Sequence, residues 1–353
     1  MLWHKQLLFL DKRGSGVNKL YVPGPVSGGL ILSYKCNMEC RHCMYACSPL
    51  WKADWISKNA AEKILSQLAG NIQGSPFGKD KVDINCGLHI TGGEPFLNFD
   101  LLLKVTGIAH RYKIPSTFVE TNCFWCRDDG STRERLERLK DAGLRGILIS
   151  VNPFILEKVP FERTERAIRM SEEVFGENVM VYQEFFYYQF KKLKIEDTLP
   201  FEEYLRKAGL GSLSYIELLP MGRAPYKLSR LYRKYPAERF FSESCRRELT
   251  RSWHAHVDNY GNYMTGYCGG VSLGDARNIE SHREVNLDEK PILDALVTSL
   301  EKLYWFGKGF GYRELSEGYV SKCHLCVDMR RHIAQQTDEF KELSPAEFYR
   351  RLE

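Results

Sequence analysis

Apolar and polar positions along this chain follow two alternating periods. Gly29 to Tyr34 is a short, nearly continuous apolar run, which reads as a buried strand. Ser57 stands just ahead of a stripe formed by Ala60, Ala61, Ile64, Leu65 and Leu68, so it is the expected cap of an amphipathic helix. Further strands are expected near 86–91, 116–121, 146–151, 178–186 and 214–219, and helices near 99–112, 131–142, 162–175 and 201–208. A last helix is expected from Ser344 as cap, with Pro345 at the first helical position. Strands alternating with helices imply parallel pairing through right-handed crossovers. Six such strands predict an α/β fold, a partial (β/α)6 TIM-like barrel whose site residues sit at the carboxyl ends of the strands.

Composition narrows the classes without choosing among them. With 353 residues, 43% hydrophobic and 27% charged, the chain has the make-up of a globular protein rather than a disordered or collagen-like one. A net charge of +5 is too mild to demand a nucleic-acid or membrane partner. No apolar run approaches the roughly 18 residues of a membrane span. The patch Leu7 to Leu10 lacks the length and cleavage site of a signal peptide, so a cytoplasmic location is expected. The eleven cysteines then suggest metal ligation or catalysis rather than disulfides.

The cysteines fall into three groups: Cys36, Cys40, Cys43 and Cys47; then Cys86, Cys123 and Cys126; then Cys245, Cys268, Cys323 and Cys326. The first strand runs into Cys36-Asn-Met-Glu-Cys40-Arg-His-Cys43. Three thiols so spaced can wrap one 4Fe–4S cluster and leave one iron open. Zinc is the competing reading, with Cys47, His42 or His89 completing a tetrahedron. The next strand ends in Thr91-Gly92-Gly93-Glu94-Pro95, where two glycines permit close approach of a ligand and Glu94 offers a carboxylate to an ammonium group. A plain strand-to-helix turn is the bland alternative.

CxxxCxxC after a first strand, followed by GGEP after the next, resembles the radical S-adenosylmethionine (radical SAM) enzymes. The resemblance implies that Cys36, Cys40 and Cys43 hold a catalytic 4Fe–4S cluster whose open iron binds SAM. It implies that Gly92, Gly93 and Glu94 hold the methionyl amino group. In that family reductive cleavage of SAM gives a 5′-deoxyadenosyl radical that abstracts hydrogen from substrate. Thr121-Asn122 resembles the family's TNG, with Cys123 in place of glycine. Ser150 and Asn152 match positions that contact the SAM carboxylate or ribose, although Asn152 replaces an Asp. Pro220-Met221-Gly222-Arg223-Ala224 resembles the PxGRA segment of members with an auxiliary-cluster domain.

Cys245, Cys268, Cys323 and Cys326 can complete one 4Fe–4S cluster or one zinc, or remain free thiols. They resemble the twitch, or shortened SPASM, extension, which implies one auxiliary 4Fe–4S cluster. The expected division is residues 1–28 as an N-terminal extension, 29–225 as the barrel, and 226–353 as a small Cys-rich iron–sulfur domain with a C-terminal helix. Cys86 is expected to be a small buried hydrophobe. Cys123 and Cys126 are candidates for a catalytic or redox thiol pair, balanced against the same buried role.

The resulting expectation is a radical SAM enzyme acting on a peptide or protein side chain, with an external electron donor such as a ferredoxin or flavodoxin. A small-molecule substrate is the first alternative, and a non-enzymatic iron–sulfur carrier or zinc module the second. The aromatic-basic stretches Phe185 to Lys194 and Arg230 to Phe241 could stack on RNA bases. With aromatics at 12% of the chain, a solvated helix face or a lid explains them better.

Overall fold

In the computed structural model, which describes residues 18–215 and 219–353, the apolar run around Leu30 forms a strand buried at all five positions. It is buried because it is flanked on both sides. In chain order the strands are β1 (Lys19–Tyr21), β2 (Ser27–Ile31), β3 (Gly87–Thr91), β4 (Phe118–Thr121), β5 (Gly146–Ser150), β6 (Val179–Tyr182), β7 (His254–Val257), β8 (Tyr263–Thr265) and β9 (Glu284–Asn286). The main sheet has the order β6-β5-β4-β3-β2-β7-β8. β2 to β6 are parallel and sequentially adjacent, each joined to the next through helix-bearing connections. That is the winding of a partial (β/α) barrel.

Local chemistry starts the helices where the caps stand. Ser57 Oγ accepts from the Ala60 N–H at the head of Lys58–Leu68, and Asn98 accepts from Leu101 at the head of Phe99–Arg111. Asp128 caps Asp129–Asp141, two residues ahead of the expected start. The buried residues Ala61, Ile64, Leu65 and Leu68 are the stripe read from the sequence.

Three expectations need correction. The strand expected over 178–186 stops at Tyr182, because Gln183 takes a left-handed conformation (φ 66°) and a helix, Glu184–Lys192, starts at once. The aromatic stretch is that helix. Phe186 and Phe190, four residues apart, are buried, and both rings pack on Tyr204. Of the sixth barrel strand expected near 214–219, residues 216–218 lie outside the described residues; those up to Tyr215 close a 3-10 turn, Leu210–Tyr215. The sixth parallel strand among the described residues is instead β7, which lies against the opposite side of β2. Its sequence, His-Ala-His-Val, lacks the apolar run that marks the others. Finally, Pro345 is itself the cap residue of Ala346–Arg350 rather than its first residue.

Two strands after residue 225, β7 and β8, are thus woven into the main sheet, while β9 forms a separate two-stranded sheet with β1. β8 extends the main sheet antiparallel to β7, and β9 pairs antiparallel with β1. None of the described helices is long and apolar enough to cross a membrane.

Candidate functional site

Beyond β2 the chain passes Leu32 to Tyr34 and enters the cysteine loop. The base of the loop is tied by a bridge between Lys35 and Ser48, by the Cys36 N–H donating to Ser48 O (3.2 Å), and by Lys35 Nζ donating to the carbonyls of Pro49 and Trp51. Cys36, Cys40, Cys43 and Cys47 all line one cavity of about 440 Å³. The same cavity is lined by Gly92, Gly93, Glu94, Thr121, Asn122 and Ser150, at the carboxyl ends of three parallel strands. The Cys47 backbone N–H points at Cys43 Sγ (3.4 Å), and Cys47 Sγ lies 3.6 Å from Gly92 O. Hydrogen bonding from the Cys47 thiol, helped by the Arg223 charge, brings Cys43 down to about 6. Burial pushes Cys40 up to about 12.

The two glycines are required by the protein's own backbone. The Gly93 N–H donates to Ser33 O (2.7 Å) and the Glu94 N–H to Lys35 O (3.1 Å), which staples the end of β3 to the start of the cysteine loop. A Cβ on Gly93 would lie 2.0 Å from Lys35 O, and one on Gly92, whose φ is 143°, would lie 2.5 Å from Ser33 O. Gly93→Ala is therefore expected to cost roughly 3 kcal/mol, the upper end of the overpacking range. Gly107→Ala, in open space within Phe99–Arg111, should instead gain up to ~1 kcal/mol from helix propensity. Denaturant midpoints of the two variants check this.

Glu94 is 1% exposed and accepts from three donors: the Phe96 and Asn122 N–H groups, and Thr121 Oγ1, which is shared between both carboxylate oxygens. Burial nevertheless raises its carboxyl to about 7, with those hydrogen bonds pulling the other way. Asn122 donates to Asn37 Oδ1 (2.9 Å), which ties the end of β4 to the cysteine loop. Cys123, in the position the resemblance gives to glycine, has φ 64°, the left-handed region that glycine favours.

Cys123 and Cys126 are fully buried, with their thiols hydrogen-bonded to each other, and neither lines the cavity. Between them Trp125 stacks on Phe96 (3.9 Å between centroids) and donates to Thr121 Oγ1, so this turn backs the wall that holds Glu94. Cys86, expected to be buried, is partly exposed because it lies in the turn before β3. Ser150 lines the cavity, but Asn152 does not. Asn152 Oδ1 accepts from the Phe154 and Ile155 N–H groups at the head of Pro153–Leu156, and Nδ2 lies 3.5 Å from His42 Nε2.

The segment Pro220 to Ala224 sits between the two cysteine regions. Arg223 has no exposed surface, and its guanidinium donates to the carbonyls of Cys40 (2.8 Å), Cys47 (3.1 Å) and Arg351 (3.1 Å). Gly222, with φ 57°, comes so close to the loop that a Cβ would lie 2.5 Å from Met44 O. On its other side, Met221 and Gly222 help line a small cavity into which Cys245, Cys268, Cys323 and Cys326 all converge. Arg330 is buried there, donating to Cys326 Sγ (3.3 Å), Gly269 O and the Tyr349 hydroxyl. The Cys245 thiol, with Arg330, lowers Cys326 to about 6, whereas burial raises Cys323 to about 12. Four thiols around one buried cation suit an anionic metal–thiolate centre. Tyr267 lines both cavities.

Among the cavity residues that the sequence did not single out are His254 and His256, which alternate on β7, and Glu120 on β4. The signal for the first two was a His-x-His pair with strand period.

No family model matches the chain. Among curated proteins it is 27% identical over 208 residues to molybdenum cofactor biosynthesis protein moc-5 of Caenorhabditis elegans; the match takes in 56% of this chain and 30% of that protein's length. Among solved structures, anSMEcpe with bound AdoMet aligns over 93% of this chain and 96% of its own, at 14% identity and a TM-score of 0.44. BtrN in complex with AdoMet and 2-DOIA aligns over 74% and 83%, at 14% identity and a TM-score of 0.38. Streptococcus suis SuiB aligns over 68% and 60%, at 16% identity and a TM-score of 0.36.

Proposed function

We propose that this chain is a radical SAM enzyme, with Cys36, Cys40 and Cys43 as the three protein ligands of its catalytic 4Fe–4S cluster. One observation carries the proposal. Three thiols from a single loop line a cavity together with Gly92, Gly93 and Glu94, and the backbone of those residues is hydrogen-bonded to that same loop. The donor set fits an iron–sulfur cluster, because thiolates are its usual ligands and Arg223 places a fixed positive charge against the loop. When bound, the cluster supplies the electron for reductive cleavage of SAM, and so the radical that takes a hydrogen from substrate.

The chain's own residues do the rest. The carbonyls of Gly92 and Gly93 and the Glu94 carboxylate are the acceptors for the methionyl ammonium. No cationic side chain is bonded to Glu94 among the described residues, so a ligand ammonium would be its natural partner. Ser150 is the hydroxyl facing the rest of SAM. Asn152 acts one step back, capping Pro153–Leu156 and reaching His42. Cys245, Cys268, Cys323 and Cys326 would hold one auxiliary cluster. Full ligation by four thiolates suits electron transfer rather than substrate binding. A peptide or protein side chain as substrate rests on the twitch-like resemblance of that region.

The test is anaerobic incubation of the reconstituted chain with SAM and dithionite. 5′-Deoxyadenosine should form, and its absence from protein that carries the iron and sulfide of both clusters would overturn the proposal. The Glu94 role has a separate pH test. A buried acid with a raised value keeps its proton longer when folded, so its contribution to stability falls as pH rises from the ordinary carboxyl range through about 7. Ammonium binding needs the carboxylate and so runs the opposite way. SAM affinity should weaken about tenfold per unit as pH drops below that value, and Glu94→Gln should flatten the dependence. A flat calorimetric profile in the wild-type chain would remove Glu94 from this role.

A further inference from the structure

We propose that His89, His254 and His256 form a second metal site, for one divalent ion of the zinc class, in the cavity that the cysteine loop lines. The arrangement follows from the sheet. β2 runs between β3 and β7, and Gly29 lies opposite His89 on one side and His256 on the other. A Cβ at Gly29 would fall 2.0 Å from His89 Nε2 and 2.5 Å from His256 Cδ2, so the glycine is what lets the imidazoles meet across the middle strand. Their Nε2 atoms are 3.0 Å apart. His254, two residues before His256, presents its ring on the same face, and one nitrogen from each of the three lies within 4.8 Å of the others.

The outer edges of two rings are already engaged. His89 Nδ1 is 3.3 Å from the Glu120 carboxylate, which also accepts from Thr91 Oγ1. His254 Nδ1 is 2.6 Å from Ser27 Oγ. The Glu120 carboxylate favours the proton on His89 Nδ1, and Ser27 Oγ can accept from His254 Nδ1, the tautomers in which Nε2 is left to ligate. His254 Nε2 is buried and has no hydrogen-bond partner. Zinc bonds of about 2.0–2.1 Å in a tetrahedron would set neighbouring nitrogens ~3.3 Å apart, which asks for a small parting of the His89 and His256 rings and for His254 to draw in from within 4.8 Å. Three neutral nitrogen ligands leave a fourth position for water or for an oxygen donor of a substrate in the cavity. None of this depends on the cluster reading, because no cysteine takes part.

The test uses the full chain, Zn²⁺ alone as probe, and equilibrium dialysis followed by zinc K-edge X-ray absorption. Cys40→Ala, which damages the proposed cluster site, should still bind one zinc with a nitrogen and oxygen shell at about 2.0–2.1 Å. His256→Ala should lose that zinc. Glu120→Gln, which leaves all three ligands in place, should weaken it about 10–100-fold and so decides the matter if His256→Ala fails to fold. Zinc seen only with a sulfur shell near ~2.3 Å, no tightly bound zinc, or undiminished nitrogen-ligated zinc in either variant would overturn the proposal.

Discussion

Cys40→Ala is expected to reduce SAM cleavage to background and to remove about four irons per chain, while Cys47→Ala keeps both. The backbone explains why the first change is local. Cys40 holds its place through its carbonyl, bonded to Arg223, and alanine keeps that carbonyl. What disappears is one thiol from a loop that presents four to the cavity. Two thiolates do not retain a cubane whose family pattern already leaves one iron without a protein ligand. Cys47 is the demanding control. It lies within hydrogen-bonding reach of Cys43, but its own Sγ faces Gly92 O. Iron and sulfide counts with chromatographic detection of 5′-deoxyadenosine read both variants. If Cys47→Ala lost iron as completely as Cys40→Ala, the cluster would be fully capped by protein and the SAM reading would fail.

Arg223→Ala should destabilise the chain by roughly 3–5 kcal/mol, the range for breaking a buried, hydrogen-bonded charge network. Three carbonyls from distant parts of the chain, those of Cys40, Cys47 and Arg351, would lose their donor inside the protein. Iron at the N-terminal site should fall as well, although every cysteine remains. Arg223→Lys should recover only part of the loss, since a single ammonium cannot match a planar fork aimed at three acceptors. Denaturant unfolding of the reconstituted protein measures the first effect and iron content the second. An Arg223→Ala variant with wild-type midpoint and iron would show that the carbonyls are satisfied in some other way.

Most strands that could be read in the sequence are buried on both faces, the half-buried edge strand β6 being the exception. Leu30 to Leu32 and Gly146 to Ile149 are apolar runs because helices and neighbouring strands cover them. A helix start was readable at Ser57, where a capping side chain precedes an apolar stripe, whereas the helices capped by Ser299 and Ser321 were not read. β7 was hidden because its inward positions carry imidazoles rather than hydrocarbon, so a strand of the central sheet looked like part of a cysteine-rich appendage. Gln183 hid the change from β6 to helix, since nothing in a glutamine announces a left-handed backbone. In the site, the cysteine spacing was legible, but the division of labour was not. GGEP reads as a ligand cradle and its glycines do line the cavity, but that the backbone against Ser33 and Lys35 also demands them was not legible. Asn152 looked like a ligand contact, and it caps a helix. Both facts depend on residues far away in the chain.

The bond from Arg223 to the carbonyl of Arg351 also sets an order of events during synthesis. In chain order the loop carrying Cys36 to Cys47 comes well before Arg223 and Arg351, so the three-way set of bonds is complete only once residue 351 has been made. Until then a nascent chain has its thiols but not the frame that aims them. For the proposed cluster this means that iron reaching those cysteines on the finished chain meets a loop braced from distant segments, whereas iron arriving sooner meets the same thiols without that brace.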